Sequence, residues 1–105
     1  MSSLSLETRR DHGRAVLTLR GEPDLATVPK LRQAALEELA TPRVSTLVLD
    51  LDGLTFLDST GLRCWIDLRN RAEDAGQALQ PESVPPAALR TVQIAGLAGL
   101  FGLDG

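Results

Sequence analysis

Leu47-Val48-Leu49-Asp50-Leu51-Asp52-Gly53, followed by Leu54-Thr55-Phe56-Leu57-Asp58-Ser59-Thr60-Gly61-Leu62, is the stretch whose reading decides the fold. Residues 44–51 form a near-continuous apolar run, which suits a central strand covered on both faces. Asp52-Gly53 has the composition of a turn. Asp58-Ser59-Thr60-Gly61 then opens a helix that the spacing carries to about residue 75. Gly61, Trp65, Leu68, Ala72 and Ala75 recur at helical spacing and make a buried stripe, which Leu62 and Ile66 widen. Arg63, Asp67, Asn70, Arg71, Glu73 and Asp74 fall on the outward side. Gly76 suits the residue just past a helix end, where a left-handed backbone is wanted. Trp65 reads as a core anchor and Cys64 as a small buried hydrophobe.

Upstream, residues 4–10 alternate as a strand candidate. Asp11-His12-Gly13-Arg14 reads as a turn, and residues 15–20 return as a second strand with Ala15, Leu17 and Leu19 on one face. Gly21-Glu22-Pro23-Asp24 breaks that strand. A helix is predicted from about 27 to 40, with Thr27 as its cap and Pro29 tolerated in the first turn. Its buried stripe is Val28, Leu31, Ala35 and Leu39. Downstream the signals weaken. Gln77-Ala78-Leu79-Gln80 reads as a short edge strand, and Pro81, Pro85 and Pro86 as an irregular segment. Residues 86–95 read as a short helix with Ala88, Leu89, Val92 and Ile94 as its apolar set. The glycine-rich tail, 96–105, favours no single structure. The order ββαβα, then βα, implies an α/β fold: a mixed sheet of four to five strands with helices mainly on one face.

The chain has 105 residues, of which 43% are hydrophobic and 24% charged. Those values suit one soluble domain, residues 1–105, and exclude a disordered chain. The net charge of −3 and the scatter of the eleven basic residues, with Lys30 the one lysine, argue against direct nucleic-acid binding. A single cysteine forms no internal disulfide. Met1-Ser2-Ser3-Leu4-Ser5 lacks a signal-peptide layout, and no apolar run approaches the ~20 residues that cross a bilayer. The expectation is a cytoplasmic protein without direct membrane contact.

Several chemistries compete for residues 47–61. Asp50 and Asp52, two apart after a strand, resemble the opening of haloacid-dehalogenase-type phosphatases. However, Thr55 falls one position late, and Lys30 lies upstream of where a charge-neutralising lysine is needed. Asp58-Ser59-Thr60-Gly61 approaches an aspartic-protease loop but has one residue too many between Asp and Gly, out of register for a shared-proton dyad. A serine hydrolase lacks its elbow motif, and His12 sits in a turn. The remaining possibility is a regulatory phosphosite. Ser59 lies at a helix start, whose amides favour an anion, and a phosphate there adds about −1.5 to −2 charge. On spacing alone, a plain N-cap role for Ser59 or Asp58 remains open beside it.

The two quoted segments, Leu47–Leu51 and Phe56–Leu62, together resemble the core of the STAS domain family. They are most similar to the bacterial anti-sigma factor antagonists, where Asp-Ser-Ser-Gly-Leu or Asp-Ser-Thr-Gly-Leu holds a phosphorylated serine. Gly21-Glu22-Pro23-Asp24 is similar to the family's Gly-Glu-Leu-Asp turn, with Pro23 in place of leucine. The resemblance covers about residues 4–76; beyond it, Ser83-Val84-Pro85-Pro86 only approximates the family's Ser-Pro helix opening. It implies Ser59 as phosphosite, with Asp24, Asp58, Thr60, Gly61 and Arg63 around it and Thr60 a second, weaker acceptor. It implies docking through the loop 22–27, the loop 53–58 and the outward start of the second helix. The implied partners are an anti-sigma factor that is also a serine kinase and a serine phosphatase, with no cofactor and no catalysis by the chain itself. The implied state is a monomer or weak dimer. The alternative within the family is a scaffold or transporter-associated module without a phosphoswitch.

Overall fold

The computed structural model describes residues 4–55 and 57–103. The elements are β1 (Leu4–Asp11), β2 (Arg14–Gly21), α1 (Val28–Leu39), β3 (Thr46–Leu54), α2 (Ser59–Asp74), β4 (Ala78–Glu82) and α3 (Pro86–Ile94). One sheet runs in the order β1-β2-β3-β4. β1 and β2 form an antiparallel hairpin, and β2, β3 and β4 are mutually parallel. Ala15, Leu17, Leu19, Leu47, Leu49 and Leu51 share a buried cluster with Leu31, Ala35, Leu62, Trp65, Leu68, Ala88 and Val92 from the helices. The other face carries Thr18 bonded to Asp50 and Arg20 bonded to Glu7. The helices therefore cover one side of a mixed sheet. Val48 on the open side is still fully buried, between Val16 and Gln80 of its neighbouring strands.

Several local expectations give way to tertiary contacts. Asp52-Gly53 does not turn the chain; β3 continues to Leu54 through an extra residue opposite β2 between Thr18 and Arg20. A Cβ on Gly53 would sit 2.6 Å from Cγ of Arg20 and 3.2 Å from the Leu19 carbonyl oxygen, so glycine permits the close approach here. Pro81 is inside β4, not in an irregular segment, and it is buried. An edge strand tolerates a residue without N–H on its outward side. Thr27 occupies the cap position of α1, but its side chain makes no capping bond. Its Oγ1 instead donates to the Glu22 carbonyl at 2.9 Å. Ala75 is exposed at the end of α2, outside the stripe. Ile94 is 80% exposed at the end of α3, where Ala88 and Val92 alone are buried.

The tail packs against α2. Residues 97–103 form successive turns, and Phe101 is 7% exposed with its ring edge-on to Trp65, centroids 6.1 Å apart and planes at 82°. Arg69 Nε donates to the Leu100 carbonyl at 3.1 Å. Two further fastenings were not legible locally. Glu38 is buried on α1 and takes a two-pronged contact from Arg10 of β1, at 2.7 and 2.9 Å. That contact also holds the Arg10 guanidinium above its ordinary pKa. Gln77 Nε2 donates to the carbonyls of Leu39 and Val44 at 2.9 and 2.7 Å, joining the end of α1 to the entry of β3. Asp67, expected outward, bridges the helices by accepting from Arg32 of α1 and from Arg71.

Candidate functional site

The C-terminal ends of the parallel strands β2 and β3 lie side by side, and the loops leaving them build the site. Thr55 N–H donates to the Gly21 carbonyl at 3.0 Å, which fixes the two exits together. Such an edge is where α/β sheets ordinarily place their binding groups. From β2 the chain passes through Glu22-Pro23-Asp24-Leu25-Ala26-Thr27 into α1. From β3 it passes through residues 55–58 into α2. Phe56 lies outside the described residues.

Asp58 is the N-cap of α2. Its backbone is extended and its Oδ1 accepts from the amides of Thr60 and Gly61, at 3.0 and 3.3 Å. Leu62 N–H donates to the Asp58 carbonyl at 3.0 Å. Ser59 is the first helical residue and is exposed. The plain capping role therefore belongs to Asp58, which leaves the Ser59 hydroxyl outside the cap. It also means that two first-turn amides, read from sequence as open to an anion, are already engaged by a carboxylate. A phosphate on Ser59 would stand outward of this cap, still favoured by the helix dipole.

The other expected residues divide between surface and support. Thr60 is partly buried, and Arg63 is exposed. Positions 59 and 63 are neighbours on one helix face, so Arg63 is within reach of a group on Ser59. Gly61 is buried and forms no part of the surface. A Cβ there would lie 2.9 Å from Leu57 Cδ1 and 3.1 Å from Pro23 Cγ. That contact seats the loop 22–27 on the first turn of α2. Asp24 organises the same loop: its Oδ1 accepts from Ala26 and Thr27 amides, both at 3.0 Å, and its own N–H donates to Thr27 Oγ1 at 2.9 Å. Three features were missed in the sequence. Pro23 is fully buried against Gly61, Leu25 is 83% exposed beside it, and Thr91 Oγ1 of α3, which donates to the Ala87 carbonyl at 3.1 Å, also lies 3.4 Å from the Leu57 carbonyl oxygen. The first two hang on a contact between loops more than thirty positions apart, which no local pattern reveals.

His12 sits in the β1–β2 turn, at the far end of β2, about 23 Å from the site by strand rise alone. Its ring lies 3.1 Å from Asp11 in full solvent exposure. Lys30 Nζ donates to the Leu4 carbonyl and Asp50 accepts from Thr18, so the two do not meet as a phosphatase pair. Among the described residues no group of three or more His, Cys, Asp or Glu is placed to hold a metal ion. Cys64 is buried, and burial pushes its thiol pKa up, away from reactivity. No described helix is long and apolar enough to cross a membrane.

Comparison with known proteins agrees with this architecture. Residues 6–103 match the family described as "Mlab, STAS domain". The anti-sigma-F factor antagonist RsfB of Mycobacterium tuberculosis is 31% identical over 103 residues, covering 96% of this chain and 81% of that protein. The crystal structure of an anti-sigma factor antagonist from Mycobacterium paratuberculosis superposes with a TM-score of 0.77 at 28% identity, over 94% of this chain and 83% of that one. The fold is also that of SpoIIAA in its unphosphorylated form, with a TM-score of 0.73 at 22% identity over 92% and 84% of the two chains. With its motif, its sheet order and its relatives in agreement, this chain belongs to the STAS domain family.

Proposed function

We propose that this chain is an anti-sigma factor antagonist whose hold on its anti-sigma factor, itself a serine kinase, is broken by phosphorylation of Ser59. The observation that carries the reading is the Ser59 hydroxyl, exposed at the first position of α2 while Asp58 alone performs the capping. RsfB, a relative at 31% identity, is an anti-sigma-F factor antagonist. SpoIIAA, whose likeness is one of fold, has been determined in a phosphorylated form.

The kinase brings the terminal phosphorus of ATP in line with Ser59 Oγ. The new O–P bond forms as the bond to ADP breaks, and the hydroxyl proton passes to a base on the kinase. Phosphoserine then carries about −1.5 to −2 charge. It faces the phosphates of ADP on one side and Asp58 on the other, so like-charge repulsion opposes the complex. Arg63 one turn on offsets part of that charge within the chain itself. Because Ser59 is exposed and Asp58 does the capping, the domain keeps its fold while its surface changes. The unphosphorylated chain occupies the anti-sigma factor and frees the sigma factor, and a serine phosphatase restores it. In this reading the 105 residues act as one domain, as a monomer or weak dimer in the cytoplasm, and without a cofactor or an activity of their own.

The test is to incubate the protein with its candidate anti-sigma kinases and ATP, then measure intact mass and map the modified residue. One phosphate on Ser59, absent in Ser59→Ala, with at least about tenfold weaker kinase binding afterwards (~1.4 kcal/mol), is the expected result. Tight binding that Ser59→Asp leaves unchanged, with no phosphate gained, would overturn the switch in favour of constitutive scaffolding.

A further inference from the structure

Leu25 is the most exposed large apolar side chain described, at 83%, ahead of Ile94 at 80%. An isolated surface leucine calls for no explanation. The way this one is held does. Thr27 Oγ1 donates to the Glu22 carbonyl at 2.9 Å and accepts from Asp24 N–H at 2.9 Å. Asp24 Oδ1 accepts from the amides of Ala26 and Thr27 at 3.0 Å, and the Asp24 carbonyl accepts from Thr27 and Val28 at 3.1 and 2.8 Å. Beneath the loop, Pro23 is fully buried against Gly61. The backbone on both sides of Leu25 is thus fastened, and the side chain stands out at the crest. A fastened loop gives up little further conformational freedom on docking, which is the condition under which one apolar side chain contributes most to binding.

The setting narrows the occupant. Pro23 rests on Gly61, two residues past Ser59, so Leu25 and Ser59 belong to one surface. Glu22 and Asp24 precede Leu25 in the chain, and Asp58 and Asp52 lie at the same end of the sheet. Lys30 at that end is turned to the Leu4 carbonyl. Against these four carboxylates stand Lys30 and the exposed Arg63, with Arg20 ion-paired to Glu7, so the surroundings stay net acidic, which disfavours an anionic lipid surface and suits a basic rim around an apolar pocket.

We infer that Leu25 is the apolar anchor of the interface with the serine-kinase partner, seated in an apolar pocket with a cationic rim; this rests on the Ser59 reading above. Anchor and switch then have separate tasks. Leu25 sets how tightly the kinase holds the chain, whatever the state of Ser59. The phosphate, at a different point on the surface, decides release.

The experiment measures binding of the full chain to the anti-sigma kinase with ADP present, and the steady-state kinetics of Ser59 phosphorylation, for wild type, Leu25→Ala and Leu25→Met. Thermal unfolding of each variant serves as the folding control, and an exposed position should leave it unchanged. Leu25→Ala is expected to bind about tenfold more weakly and to raise KM by a similar factor with kcat little altered. Leu25→Met is expected to stay within about threefold of wild type, since methionine refills an apolar pocket. If Leu25→Ala binds within twofold of wild type while Ser59→Asp releases the kinase, the switch stands and the anchor falls. A loss in kcat with KM unchanged would mean that the loop only positions Ser59, and would also overturn the anchor. A wild-type chain that neither binds nor is phosphorylated by any anti-sigma kinase takes down the Ser59 reading and the anchor with it.

Discussion

Replacing Gly61 by alanine sets two opposing effects against each other at the junction between the loop 22–27 and α2. Gly61 is the third residue of the helix. Alanine is the better helix former there, worth up to about 1 kcal/mol in a helix interior and less near an end. Against this, the new methyl carbon would stand 2.9 Å from Leu57 Cδ1 and 3.1 and 3.4 Å from the Pro23 ring. Leu57 is 7% exposed and Pro23 is fully buried, so neither can swing into solvent. Overpacking of this kind costs about 1–3 kcal/mol. The clash should win, and the net loss should be about 1 kcal/mol. With an m-value of ~2 kcal/mol/M for a domain of this size, the urea midpoint should fall by about 0.5 M. A double-mutant cycle identifies the cause: Pro23→Ala together with Gly61→Ala should destabilise by less than the sum of the two single changes. Gly61→Ala should also weaken kinase binding, because it lifts the loop that carries Leu25. An unchanged or raised midpoint, or strict additivity with Pro23→Ala, would refute the claim that this contact seats the loop.

Other consequences are simpler to state. Phe101→Ala should cost about 3 kcal/mol, since the ring is buried edge-on to Trp65. At ~4 °C per kcal/mol, that lowers Tm by about 12 °C in a calorimetric scan. Asp58→Ala removes the acceptor of two first-turn amides and should cost about 1 kcal/mol by urea titration. Its circular dichroism should otherwise stay native. The Asp67 carboxyl is held below the usual range by its hydrogen bond from Arg32 and by Arg71. Its folded pKa is thus below its unfolded value near 4, so its contribution is full above about pH 4 and fades as pH falls through the folded pKa. The stability difference between wild type and Asp67→Asn, small because the pair is only partly buried, should therefore be flat at neutral pH and shrink below about pH 4.

What could be read from the sequence was local. The apolar run into β3 and the helical stripe from Gly61 to Ala72 specify their own conformations, and Asp58-Ser59-Thr60-Gly61 marks the start of α2 because a carboxylate before a helix has an evident use. The element order and the one-sided sheet followed from these. What escaped depended on distant partners. Glu38 looks like any glutamate on an exposed helix face until Arg10, 28 positions earlier, is brought against it. Phe101 stands among glycines, and only the position of Trp65 makes it part of the core. Asp52-Gly53 is turn-like by composition, yet pairing with β2 draws it into the sheet and uses the glycine for clearance instead. At the site, the exposed hydroxyl was legible in the motif. The division of labour, with Asp58 capping, Gly61 and Pro23 packing, and Leu25 displayed, required the loops to be seen together.

Pro81 has a use beyond filling a place in β4. A sheet ordered β1-β2-β3-β4 leaves both outer strands open to capture by a strand from another molecule. β4 spans five residues and carries at its fourth a residue with no N–H to offer. A visiting strand would find no donor there, and could not build a continuous ladder. On the opposite edge, β1 presents Glu7, Arg9, Arg10 and Asp11, which would bring charge into any such ladder. Both edges are thereby guarded against templated aggregation, which leaves the end of the sheet, where the loops 22–27 and 55–58 emerge, as the surface open to a partner under the proposed function.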